Sequence, residues 1–305
     1  MSTVTSERQG DTVIAGIGWM VLTTFCFVAV TGIVRYVGSD IPATQAAFIR
    51  YLIGVVIFLP FLRRILRQWP SASSLKIHVG RGVVHGVAVT LWFFAMARIP
   101  IAEVTALGYI SPIFVAIGAA VFFGEKLHFR RITAIAVALL GALVILRPGF
   151  EEISIGQLAQ VAAAPMFAIS FLLAKKMTET EDTMVIVVML SILCTIVLTP
   201  GALMNWSAPS AVEVFWLAMT AVFATIGHYT MTRAFRAAPL TVTQPVGILQ
   251  LVWAALLGIV AFGEPVDPFV ILGGGIVVAA ATFISHREAI AAQAIKTPPA
   301  PATKD

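Results

Sequence analysis

Apolar runs of about twenty residues recur along this chain, parted by short polar links. About twenty is the number of residues a helix needs to cross the hydrocarbon core of a bilayer. Ten such runs are read, at roughly 12–35, 42–62, 78–98, 101–123, 130–148, 155–174, 183–203, 212–235, 240–263 and 268–285. Composition agrees. Of 305 residues, 59% are hydrophobic and only 11% charged, where a soluble domain carries about a quarter charged. The expected fold class is therefore an all-α polytopic membrane protein. The first run is too long for a signal-peptide core and lacks a basic segment before it, so it is expected to stay as the first helix.

The net charge of +5 reflects loop lysines and arginines rather than a nucleic-acid surface. With the N-terminus placed in the cytoplasm, the inside segments hold sixteen Lys and Arg and the outside segments only Arg35, Arg98 and Arg147. That asymmetry is the positive-inside pattern. An even helix count then puts both termini in the cytoplasm. The stretch from Arg287 onward, ending TPPAPATKD, is expected to be a disordered tail.

The chain also repeats itself. Phe123-Gly124-Glu125 returns as Phe262-Gly263-Glu264, a shift of 139 positions. The same shift carries Pro100 onto Pro239 and Gly108 onto Gly247 without a gap. Residues 12–150 and 151–287 are thus read as two units of five helices, with 288–305 as the tail. Five is odd, so the second unit enters the membrane from the opposite side. The fold expected is ten transmembrane helices as two inverted repeats, an architecture in which cargo binds between the repeats near the midplane.

The run ISPIFVAIGAAVFFGEKL, the segment AFIRYLIG around Arg50 and the ending GALVILRPG resemble the EamA repeat of the drug/metabolite transporter superfamily. The second copy, QPVGILQLVWAALLGIVAFGEP, is similar but has no proline matching Pro112. The resemblance covers about residues 12–287. It implies transport of small organic molecules without naming the cargo or the direction, and a basic residue near Arg50 whatever the cargo.

Several residues are candidates for touching cargo. Arg50 is a charge roughly 12 Å inside the second helix, at 1.5 Å per residue; a charge at that depth faces an interior or a wet cavity. It reads as an anion anchor, or else as a structural partner of backbone carbonyls or Glu103. His85, Val89, Trp92 and Met96 share one stripe of the third helix. The repeat shift maps them to Ala224, His228, Met231 and Phe235, so His85, Trp92 and His228 join the list. The other side of the third helix, Gly82, Gly86 and Thr90, reads as a packing surface. Thr105 and Tyr109 on the fourth helix and Gln244 on the ninth offer neutral polar or aromatic groups. Pro112 and Pro245 cannot donate a backbone hydrogen bond and are expected to be hinge or gating bends. Glu103 is a candidate proton-coupling group, with an interfacial carboxylate at a helix N-terminus as the plainer reading. Glu125 and Glu264 read as structural or gate-edge carboxylates, and Asp267-Pro268 as a helix cap.

The function expected is a secondary transporter that exports a small amino-acid-like, aromatic or vitamin-like metabolite across an inner membrane. Import of a vitamin such as riboflavin is the alternative. An intramembrane enzyme is a distant third, because the chain has no HExxH, DDxxD, GxSxG or Walker motif. A passive channel would need a continuous polar stripe, and the polar groups here are isolated. No cofactor or metal is expected: Cys26 and Cys194 lie in apolar runs. The expected partners are a small-molecule cargo and the lipid bilayer, not nucleic acid; a homodimer is left open.

Overall fold

The computed structural model describes residues 2–61, 67, 69–111, 113–114, 117–118, 129–177, 180–237, 246–247 and 249–296. Among these residues there are ten α-helices. They are α1 (Ser2–Val37), α2 (Ala43–Phe58), α3 (Ala72–Met96), α4 (Ile101–Gly108) and α5 (Phe129–Leu146) in the first half. The second half has α6 (Ile155–Met177), α7 (Thr183–Met204), α8 (Ala211–Ala237), α9 (Leu249–Phe262) and α10 (Pro268–Lys296). Five helices are long and apolar enough to cross a membrane, and four shorter apolar helices accompany them.

Packing follows a two-fold rule. Extensive contacts join α1 to α8 and α3 to α6, which are the same interface seen from either repeat. The other main contacts, α2 to α7 and α5 to α10, pair each helix with its own counterpart. The halves therefore interlock rather than sit side by side. They are also inverted. Arg35, near the end of α1, reaches the Met96 carbonyl at the end of α3. At that same end α6, the counterpart of α1, begins: Gly156 packs on Arg98 and Ile99, and Gln157 bonds Glu103.

Without water to squeeze out, membrane helices associate through close packing, small residues and interhelical hydrogen bonds. Gly82 and Gly86 of α3 lie against Leu193 and Leu198 of α7, as their spacing leads one to expect. Gly141 and Gly273 bring α5 and α10 into backbone contact. Buried hydroxyls Thr23 and Thr230 bond across α1 and α8 at 2.8 Å. Outward-facing Leu52, Val56, Val83, Leu140 and Leu272 are exposed, as a lipid-facing surface requires.

Four boundaries differ from the sequence reading. Helix α3 starts at Ala72, capped by Ser71, rather than near 78. Arg81, assigned to a cytoplasmic segment, is consequently a buried helical residue. Helix α10 continues to Lys296 and α1 begins at Ser2. Helix α4 is interrupted after Gly108 by a turn at Tyr109 and Ile110; residues 111, 113–114 and 117–118 are helical again, and the expected end near 123 lies outside the described residues. The expected cap at Asp267 is present: its carboxylate accepts from the Phe269 N–H at 2.8 Å.

Candidate cargo-binding cleft

Helix α2 buries Tyr51 and Gly54 toward the second half of the chain. Arg50 beside them turns into a cleft closed by α7 and α8. Its walls are Arg50, Tyr51, Gly54, Ser191, Thr225 and His228, with Val187, Leu190, Ala221 and Ala224 as apolar lining. The cavity is about 40 Å³, close to the roughly 30 Å³ that one water occupies in the liquid. An organic cargo needs the two halves to part further than they do in this conformation.

Arg50 does not pair with Glu103. Its guanidinium carbon lies 4.5 Å from the Tyr51 ring centre, and its buried Nε and Nη1 atoms have no hydrogen-bond partner among the described residues. The buried Tyr51 hydroxyl likewise makes no hydrogen bond of good geometry among them. His228 lines the same cleft and sets its ring edge against Phe27 at 5.3 Å. Two residues proposed from sequence, one from each repeat, thus meet in one cavity.

A buried polar cluster continues from Tyr51. The His85 ring stands edge-on to Tyr51 at 6.2 Å and to Phe167 at 5.3 Å. His85 Nδ1 and the Ser170 hydroxyl are 2.9 Å apart. Arg81, one turn before His85 on the same stripe of α3, reaches Ser170 Oγ at 3.4 Å and the Ile186 carbonyl at 3.3 Å. The sequence reading missed Arg81. Its place four residues before His85 was the available signal, masked by a helix start set too late.

The fourth helix breaks where its chemistry demands. Tyr109 and Ile110 form a turn closed by tight i to i+3 bonds. A proline at 112 cannot bond the carbonyl four residues back, which belongs to Gly108, and its ring clashes there. The Tyr109 hydroxyl donates to the Gly247 carbonyl at 2.5 Å. A Cβ on Gly108 would lie 3.4 Å from Gln160 Nε2 of α6, and Gln160 Oε1 is buried with no partner among the described residues. Pro112, Pro245, Gln244 and Glu125 lie outside the described residues.

Other candidates sit elsewhere. Trp92 is half-buried against the core with its ring edge toward Phe93. Thr105 bonds its own helix at the Ile101 carbonyl. Glu103 accepts from Gln157 of α6 and lines a second cavity, about 100 Å³, beside Glu264 and Asp267. There Glu264 pairs with Arg35 at 3.0 Å and accepts from the Ile101 N–H at 2.9 Å. Asp267 pairs with Arg147 at 2.6 Å. At the opposite end, Glu181 binds His78 at 2.7 Å and also accepts from Ser74. Among the described residues no group of His, Cys, Asp and Glu gathers to hold a metal ion.

The profile of the EamA-like transporter family matches the chain twice, over residues 14–147 and 154–286. The chain belongs to the EamA-like transporter family. It is thus a membrane transporter of the drug/metabolite superfamily and not an enzyme. The riboflavin transporter of Vibrio cholerae is 28% identical, covering 88% of this chain and 92% of its own length. An S-adenosylmethionine uptake transporter of Rickettsia bellii is 25% identical, over 90% and 94%. The pseudopaline exporter CntI of Pseudomonas aeruginosa is also 25% identical, over 90% and 98%. A solved crystal structure at 18% identity superposes over 94% of this EamA-like chain and 99% of its own, with a TM-score of 0.57; it supports the fold alone.

Proposed function

We propose that this EamA-like chain is a secondary transporter that carries a small organic metabolite by alternating access. Cargo binds in the cleft between the repeats, against Arg50 and His228. The observation that carries this reading is where the cleft lies: α2 of one repeat forms one wall, and α7 and α8 of the other form the rest. Two inverted units that interlock through equivalent helix pairs can exchange shapes, which opens such a cleft to each side in turn. The broken α4, tied through Tyr109 to Gly247, is the proposed bend. The proposed repeats are 12–150 and 151–287. The proposed setting is a bacterial inner membrane with both termini cytoplasmic, on the strength of the Lys and Arg asymmetry.

Export of an amino-acid-like, aromatic or vitamin-like metabolite is the first reading of direction. Uptake is the second, and the relative named an S-adenosylmethionine uptake transporter favours it. Glu103 is the proposed proton-coupling group, since its partner Gln157 is an amide rather than a cation.

The test is a metabolite comparison of cells and medium with and without the chain. A defined set of metabolites should accumulate on one side, which reads cargo and direction together. No redistribution at matched membrane abundance overturns the transport reading.

A further inference from the structure

Ionisable groups at the two ends of the bundle, buried or partly so, have counter-charges or titratable partners. Arg35 has Glu264, Arg147 has Asp267, and His78 has Glu181. In the middle the pattern reverses. Arg50 has two buried guanidinium nitrogens with no partner among the described residues. Arg81 is 8% exposed and meets only a hydroxyl and a carbonyl, both beyond 3.2 Å. Among the described residues no carboxylate lies in ion-pair range of either. Two cations in one apolar bundle without an anion carry a heavy desolvation cost, which a counter-ion relieves.

We propose that the missing counter-ion belongs to the cargo: the transported metabolite bears a carboxylate or a phosphate, and Arg50 binds it in the cleft. This deepens, and rests on, the transport reading above. Arg50 is the contact residue. Its guanidinium is a planar fork in which Nε with Nη2, or Nη1 with Nη2, matches two oxygens of a carboxylate or phosphate, so each of the two unpartnered nitrogens belongs to one such pair. The Ser191 and Thr225 hydroxyls share the cavity with it; each donates to a carbonyl of its own helix, Val187 and Ala221, and turns from it to donate to an anion. Arg81 does not line the cleft and is a positioning residue. It holds Ser170, which holds His85, which backs the Tyr51 ring on which Arg50 rests. Its own charge adds to the positive field at the anion.

The experiment compares cells carrying no chain, the wild type, Arg50→Gln, Arg50→Lys, Arg81→Gln and Arg81→Lys. Untargeted metabolite profiles of cell and medium are taken at matched membrane abundance, with elution of each purified variant as the folding control. The metabolites that wild type redistributes are expected to carry a carboxylate or phosphate. Arg50→Gln should lose at least about tenfold of that transport, as when one partner of a buried charge pair is removed. Arg50→Lys should retain part of it, since it keeps the charge and loses the fork. Arg81→Gln should raise the concentration needed for half-maximal transport and leave the maximal rate, and Arg81→Lys should restore it. Cargo with no anionic group overturns the proposal without any variant. So does anion transport by folded Arg50→Gln at the wild-type rate. A wild type that redistributes nothing removes the transport reading itself, and this inference with it.

Discussion

The Tyr109 hydroxyl donates to the Gly247 carbonyl at 2.5 Å. Tyr109 follows Gly108, and Gly247 is the residue that the 139-position register places on Gly108. The bond therefore ties the break in the fourth helix of one repeat to the equivalent place in the other. It is a direct link between the two units whose relative motion transport requires.

Tyr109→Phe removes that link and little else. It removes one of two donors from the buried Gly247 carbonyl, which keeps the Gln250 N–H at 2.9 Å. Loss of such a bond costs about 0.5–1.5 kcal/mol. The expected result is a lower melting temperature in detergent together with an altered maximal transport rate, with half-saturation less affected. Unchanged stability and rate would show the bond to be incidental.

Gly54 is the place to fill the cleft. A methyl group there meets Ser191 Oγ at 3.6 Å, an ordinary contact. Gly54→Ala should fold and transport like wild type. Gly54→Leu should occupy the cavity. Overpacking of about 1–3 kcal/mol converts to about a tenfold loss of cargo affinity per 1.4 kcal/mol. Half-saturation and melting temperature measured side by side separate a blocked site from a damaged fold.

Glu264 serves two partners, the Arg35 guanidinium and the Ile101 N–H. Arg35 is partly exposed, which lowers the value of the ion pair. Glu264→Ala should still destabilise by about 2 kcal/mol, the scale for losing hydrogen bonds to a charged group. A swap of the two charges should not restore stability, because arginine at 264 cannot accept from Ile101. Thermal denaturation of the single and double variants tests both statements.

Gly141 and Gly273 face each other across α5 and α10. A Cβ on Gly141 falls 2.8 Å from the Gly273 carbonyl, and one on Gly273 falls 2.5 Å from the Gly141 carbonyl. Backbone cannot rotate away as a side chain can. Either Gly→Ala should cost about 1–3 kcal/mol by overpacking. Gly80 and Gly275 meet nothing within 4 Å, so alanine there should leave melting unchanged and serves as the control.

Much of this was legible in one dimension. Helix number, the repeat and its inversion followed from apolar runs, the 139-position register and an odd helix count. Arg50 and His228 stood out because a charge and a matched histidine are rare in such runs. Arg81 was missed because polar Ser71–Lys76 looks like a loop, although Ser71 caps a helix that carries these residues beyond the apolar span. His85 stood out as a single anomaly, but its bond to Ser170 of α6 spans 85 positions and no local pattern points to it.

The sequence by itself determined the solvent and the architecture. Hydropathy and spacing are local, and in a bilayer every backbone group must be satisfied within its own helix. Only the tertiary structure decided which polar groups have partners. Whether Arg35 is neutralised by Glu264, and Arg50 by no carboxylate among the described residues, depends on which helices meet, and partners such as Arg35 and Glu264 lie more than two hundred positions apart. That difference in neutralisation, which residue type alone does not reveal, separates the charges paired within the fold from the one proposed to meet cargo.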